Sequence, residues 1–235
     1  MVDVKFNFNK HTEKWRLLMA ADIVVFGYHD NKLKVLLVKR KYAPGVGQWA
    51  IPGGFVREDE SLEEAAMREL NEETGLSKDA AYLEQLYTFG NVDRDPRGRV
   101  ISVAYMVLVS EPEKIKLSAS DDAKEAAWFD IKDLPALSFG KSHKDILMYA
   151  WQRLRWKFEY TNVPATMLPN KFTLTELQKL YEIVYNKPID KRNFRKKVLS
   201  LDLVDPVDDV KKELGRPAQL YKVTTKKLKI YNKII

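Results

Sequence analysis

Glu69, Glu72 and Glu73 stand three and four positions apart, so on a helix their carboxylates emerge on one face. Left alone, like charges at that spacing cost roughly a few tenths of a kcal/mol per pair. A hard dication removes that cost, because Mg²⁺ takes carboxylate oxygens together with water and phosphate. Glu60 lies at the N-terminal approach to the same helix and can reach the cluster. Arg68 can pair with Glu64 or Glu72 and hold the carboxylates in place. Gly53 and Gly54 let the backbone turn sharply and come close to a ligand. The chemistry expected of such a set is the holding of a divalent cation together with phosphate oxygens. The plain alternative, a solvated acidic helix, does not account for the glycines or the full spacing.

The elements that must position these groups are legible nearby. Ser61 with Glu64 forms a capping box for a helix over 61–74, and Gly75 stops it. Apolar runs over 23–26 and 33–38 predict two strands joined by a turn at His29-Asp30-Asn31-Lys32. A short strand over 49–55 is broken by Pro52, Gly53 and Gly54, and further strand signal lies at 82–88 and 100–109. A helical stretch over 144–158 closes this part of the chain. The order predicts an α+β fold, a mixed sheet with flanking helices, ending near residue 160.

Residues 54–76 read GFVREDESLEEAAMRELNEETGL and match the Nudix signature at every specified position. The chain therefore resembles Nudix hydrolases. That resemblance implies a Nudix fold and Mg²⁺- or Mn²⁺-assisted attack of water on a pyrophosphate. By motif position it assigns the catalytic group to Glu69, Glu72, Glu73 and Arg68, and the metal to those three glutamates with Glu60 and Gly54. Trp49, just before the box, is expected in the core in preference to a base-stacking role.

A turn-rich loop carries Arg94, Arg97 and Arg99, which suit phosphates or ribose hydroxyls and, with Gly53, make the expected ligand-binding set. A solvated charged loop is the simpler alternative. Residues 83–105 resemble the Nudix domains of ADP-ribose pyrophosphatase-like proteins.

The charge is divided unevenly. Residues 161–235 hold 16 Lys and Arg against 8 Asp and Glu, a net of +8, so the formal total of +7 leaves the front at −1. A basic tail favours an anionic partner, nucleic acid first. Residues 161–170, with two prolines and no charges, read as a linker between a domain over 1–160 and a second over 171–235. Thr173 with Glu176 makes another capping box before Leu174, Leu177, Leu180, Tyr181 and Val184 at helical spacing. Asp190 can cap a second helix over 191–199 with Phe194, Val198 and Leu199 on its apolar side. Strand runs at 201–204 and 219–224 follow, and helix, turn, helix, hairpin is the order of a winged helix-turn-helix.

The segments beginning Phe172, Asp190 and Gly215 resemble the winged helix of the Nudix-related transcriptional regulators, whose best-known branch represses NAD-synthesis genes in response to ADP-ribose. Another branch responds to sugar and controls pentose use. Arg192, Asn193, Arg195 and Lys196 are expected to face out from the recognition helix, with Arg216 at the hairpin reaching a phosphate or the minor groove. Winged-helix regulators act as two-fold dimers on near-palindromic sites, so a homodimer on a double-stranded DNA operator is expected.

Composition closes off other classes. With no cysteine there are no disulfides, thiolate zinc sites or cysteine nucleophiles, which fits a reducing cytoplasm. No apolar run approaches the roughly 18 to 20 residues that span a bilayer, and residues 1–15 lack the apolar core of a signal peptide. His11, His29 and His143 are not at metal-ligand spacing, though His143 precedes the last helix of the first domain and can line its cleft. Two readings follow. One is a DNA-binding regulator whose Nudix domain senses ADP-ribose or a related nucleotide sugar or sugar phosphate. The other is a working ADP-ribose pyrophosphatase with a basic accessory domain.

Overall fold

The computed structural model describes residues 17–76, 81–115, 117, 123–212, 217–225 and 227–234. Strands β1 (Leu18–His29) and β2 (Lys32–Arg40) form an antiparallel hairpin. Its two-residue turn has Asp30 and Asn31 at φ 52° and 55°, the left-handed pair that matches strand twist and that Asp and Asn tolerate. β3 (Trp49–Ala50) pairs with β2, and β4 (Gly53–Phe55) with β1, so Gly53 and Gly54 lie within a strand and do not interrupt one. Helix α1 (Leu62–Thr74) follows, then β5 (Ala81–Phe89) and β6 (Val100–Val109), with β6 running parallel to β1. β7 (Ala123–Asp130), a strand with no clear apolar alternation, pairs with β2.

β1 is buried along its middle, and alternate residues serve opposite faces of the sheet. Ala21, Ile23 and Val25 pack with Ala65, Ala66 and Leu70 of α1. Val24 and Phe26 pack with Ile146, Leu147, Ala150 and Leu154 of α2 (Lys141–Tyr160). One helix on each face is what a period-2 strand with two apolar sides requires. α2 begins three residues before the expected start, with its first turn at the sheet edge.

The second half comprises β8 (Phe172–Thr173), α3 (Leu174–Tyr185), α4 (Lys191–Ser200), β9 (Val204–Lys211) and β10 (Ala218–Val223), the strands ordered β8-β10-β9. Both expected capping residues work: Thr173 accepts from the Glu176 amide and Asp190 from that of Asn193. Two local expectations are corrected. β9 starts at the residue where the strand run was expected to end, because 201–202 form a turn with Asp202 at φ 50°. Its Pro206 is accommodated because β9 is an edge strand. Leu199 is 43% exposed, whereas Phe194 and Val198 are buried.

Residues 161–170, read from the sequence as a linker of some stiffness, contain a 3-10 turn over Val163–Met167 whose Val163, Pro164, Ala165 and Met167 are buried. The chain beyond β10 returns to the same place. Amides of Tyr231 and Ile234 donate to the carbonyls of Tyr160 and Glu159 at 2.7 and 2.6 Å, and Asn162 Nδ2 donates to the carbonyls of Thr225 and Lys227 at 2.9 Å. Phe158, Phe172, Tyr181, Phe194, Tyr231 and Ile234 belong to the same continuous core as Val24 and Phe26. Among the described residues no helix is long and apolar enough to cross a membrane.

Candidate ligand cleft and nucleic-acid interface

α1 brings its acids to a cleft of about 410 Å³ between β1, β4 and the start of α2. The helix is fixed at both ends, by the reciprocal Ser61–Glu64 box and by Gly75 at φ 78°. Its apolar side buries Ala65, Ala66 and Leu70 against the sheet, which turns Glu69, Glu72 and Glu73 to the cavity. Both glycines of β4 have close neighbours, backbone at Gly53 and the movable end of a side chain at Gly54. A Cβ on Gly54 would stand 2.2 Å from Glu69 Oε1, and one on Gly53 (φ 150°) would stand 2.4 Å from the Ala21 carbonyl. The Gly53 amide donates to Glu73 Oε2 at 2.9 Å, so backbone and carboxylate are locked together.

Arg68 organises the rest. Its Nε and Nη2 donate to Glu60 at 2.8 and 2.6 Å, its Nη1 to Glu69 and Glu72 at 2.7 and 3.0 Å, and Nη2 also to the Phe55 carbonyl at 3.1 Å. These contacts use the planar fork of the guanidinium, a geometry no lysine can reproduce. Of the alternatives Glu64 and Glu72, Arg68 pairs with Glu72, while the Glu64 carboxylate completes the helix cap. The hydrogen bond from Arg68 is the largest influence on Glu60, whose pKa is held down to about 2. Among the described residues no three His, Asp or Glu side chains are gathered closely enough to hold an ion as they stand. The donor set itself, carboxylate oxygens on one helical face lining the cleft, has the chemistry of a hard-cation site.

The opposite wall is cationic and aromatic. Arg40 lies 4.7 Å from the ring centre of Phe139, and Arg97 lies 5.3 Å from the same ring and 4.5 Å from that of Phe55. Burial first, then the neighbouring charge of Arg97, lowers the pKa of Arg40. Arg97 is held by Asp95, with Nη2 to Oδ2 at 2.7 Å. Arg94 is held by the buried Asp22, with Nη2 to Oδ2 at 2.9 Å. Of the three loop arginines expected at the ligand, Arg94 and Arg97 line the cleft. Arg99 donates to the carbonyls of Gly90 and Asn91 at 2.7 and 3.1 Å and braces the loop from outside the cleft lining. A second cavity, about 640 Å³, adjoins the first and shares Arg94 and Phe139 with it. Trp49 packs edge-on to Phe129 at 4.7 Å and does not line the cleft, in keeping with a core role.

Asp22, Arg40 and Phe139 were not anticipated. Asp22 had a signal, a carboxylate inside an apolar strand run. Phe139 had none, since only the fold carries it to β4.

In the second half, α4 turns Arg192, Asn193, Lys196 and Lys197 to solvent while Phe194 and Val198 pack inward. Arg195 departs from the outward orientation expected. It is half-buried and donates to Thr175 Oγ1 on α3 at 2.9 Å, fastening one helix to the other. Arg216 lies outside the described residues.

Two family profiles match, the NUDIX domain over residues 17–151 and the NrtR DNA-binding winged helix domain over 164–223. The chain belongs to the Nudix-related transcriptional regulators. Among members of that family, the ADPR responsive transcriptional repressor NtrR of Acinetobacter baylyi is 36% identical over 207 residues, 87% of this chain and 81% of its own. The crystal structure of Shewanella oneidensis NrtR complexed with a 27mer DNA has a TM-score of 0.77 at 38% identity, covering 88% of this chain and 93% of that one. The NUDIX domain of the same regulator, cocrystallised with ADP ribose, covers 66% of this chain and 99% of its own at 35% identity and TM-score 0.56. Outside the regulators, the ADP-ribose pyrophosphatase of Methanocaldococcus jannaschii is 43% identical over 145 residues, 62% of this chain and 80% of its own.

Proposed function

We propose that this chain is an ADP-ribose-responsive transcriptional repressor, with α4 reading DNA and the two-walled cleft taking the metabolite. The observation that carries the reading is the pairing, in one molecule, of that cleft with the exposed basic face of α4. A diphosphate needs cations on one side, which Arg40, Arg94 and Arg97 provide, and flat apolar surface for a base, which Phe55 and Phe139 provide. Arg99 serves by fixing the loop that carries Arg94, and Gly53 by allowing β4 to approach. Glu69, Glu72 and Glu73, with Glu60 and Gly54 beside them, are the residues that would hold Mg²⁺ or Mn²⁺. When bound, such an ion neutralises phosphoryl oxygens and lowers the pKa of a coordinated water. On the DNA side Arg192, Asn193 and Lys196 offer base-edge and phosphate contacts, and Arg195 sets the pose of α4. A homodimer would present two recognition helices to a two-fold operator.

The test is a gel shift with the promoter of the chain's own operon at physiological salt. Specific binding that changes as ADP-ribose is added is expected. Affinity equal to that for unrelated DNA sinks the reading, because nonspecific binding is weak at that ionic strength.

A second reading, hydrolysis of ADP-ribose, is favoured by one observation: every acid of the Nudix box is present and Glu69, Glu72 and Glu73 all line the cleft. Turnover with Mg²⁺ that survives both Glu72→Gln and Glu73→Gln would place catalysis elsewhere.

A further inference from the structure

The first turn of α2 puts a histidine into the cleft that neither the cationic wall nor the acidic wall uses. His143 is 5% exposed, lines the cavity, and stacks on Phe139 with ring centres 4.8 Å apart. Phe139 itself sits at φ 57°, a left-handed conformation unusual for an aromatic residue, directly before Gly140. The charged groups that bear on the ring are Asp22 from β1, Arg40 from β2, and Arg94 and Asp95 from the loop after β5. Burial, reinforced by Arg94 and Arg40 against the pull of Asp22 and Asp95, lowers its pKa to about 4, so the imidazole is neutral at physiological pH. Its Nδ1 is buried with no hydrogen-bond partner. A buried polar atom left in that state costs about 1–3 kcal/mol, a cost that a ligand group removes once the ring turns to meet it.

The chemistry of that group follows from the neutral ring. A neutral imidazole presents one N–H donor and one bare nitrogen acceptor. Phosphoryl oxygens only accept, and they gain more from the three guanidinium groups close by. A sugar hydroxyl both donates and accepts, so it is satisfied by either nitrogen.

We infer that His143 contacts the ligand directly, meeting a sugar hydroxyl and thereby selecting a sugar-bearing diphosphate over bare pyrophosphate. The inference rests on the cleft being an ADP-ribose site. It is tested by calorimetry on the full chain with ADP-ribose and with inorganic pyrophosphate. His143→Phe keeps the stack on Phe139 and removes both nitrogens, and His143→Gln restores a donor and an acceptor. The expected result is a roughly 10- to 100-fold loss of ADP-ribose affinity in His143→Phe, pyrophosphate affinity within about twofold of wild type, and substantial recovery in His143→Gln. Equal losses for both ligands, or none for ADP-ribose, overturn the assignment while leaving the site intact. Wild-type protein that fails to bind ADP-ribose removes the site reading, and this inference with it. Should the variants not fold, ¹⁵N NMR of the wild-type imidazole decides. Its nitrogen shifts move with ADP-ribose and stay still with pyrophosphate if the contact exists, and unmoved shifts under saturating ADP-ribose refute it.

Discussion

His143 and Arg68 illustrate opposite ways of burying a titratable group. Arg68 keeps its charge because Glu60, Glu69 and Glu72 surround it, whereas His143 gives its charge up because it is buried, with Arg94 and Arg40 adding to the effect. The second case has a thermodynamic consequence. A histidine whose folded pKa lies at about 4, against the ordinary 6.5, is bound by fewer protons folded than unfolded. The stability this contributes is whole above pH 6.5 and is lost as pH falls toward 4, by about 2 kcal/mol between pH 7.5 and 5. Urea melts at the two pH values should display that loss in the wild type and a smaller one in His143→Phe. Parallel wild-type and variant curves would mean the ring takes up a proton as readily in the fold as in the unfolded chain.

At the scale of elements, the two capping boxes decide where the working helices begin. The box at Ser61 fixes the phase of α1, and so which acids face the cleft. The box at Thr173 fixes α3, against which α4 is tied through Thr175 and Arg195. Thr173→Ala should cost about 1 kcal/mol in denaturant unfolding, because it strips the acceptor from the first turn of α3. For α4 two outcomes are expected from DNA titrations. Arg192→Ala loses roughly 1–3 kcal/mol and relaxes preference at one base pair if it reads a base, and Lys196→Ala weakens all sequences alike while lowering the salt slope by about 1. An operator affinity untouched by Arg192→Ala places that side chain in solvent.

Over the whole molecule, the two halves share one core. α2 starts at the cleft with His143 and ends against α3, where Phe158 meets Tyr181 at 4.9 Å and the Arg155 carbonyl accepts from the Tyr185 hydroxyl at 2.8 Å. Glu84 of β5 braces the helix midway, taking Arg153 at 2.6 Å and Lys157 at 3.0 Å. Burial acts to raise the pKa of Glu84, and the hydrogen bonds from Tyr82, Arg153 and Lys157 outweigh it and hold it low. A continuous core of this kind should melt as a single unit. Calorimetry is expected to give one transition, moved upward by ADP-ribose by about 2.7 kcal/mol of stability at a hundredfold excess over Kd. Two separate transitions, of which ligand moves only one, would contradict the shared core.

Local chemistry made much of this readable from the chain alone. The glutamates at 69, 72 and 73, the caps at Ser61, Thr173 and Asp190, and the Asp30-Asn31 turn each depend on neighbours within a few residues, so spacing and residue type sufficed. The basic face of α4 was legible for the same reason, as a period of 3.6. What spacing does not encode is contact across the fold. Asp22 meets Arg94 over 72 positions, and Phe139 receives Arg40 and Arg97 from separate elements. β7 alternates too weakly to be read before β2 supplies its partner. The stretch over 161–170 reads as a linker from its two prolines and lack of charge, and only the fold shows that the same lack of charge lets it be buried. Sequence determined the acids, the helices and their caps. Tertiary structure decided which arginines reach the cleft, that Arg195 turns to α3, and that a histidine lies neutral in the cleft wall.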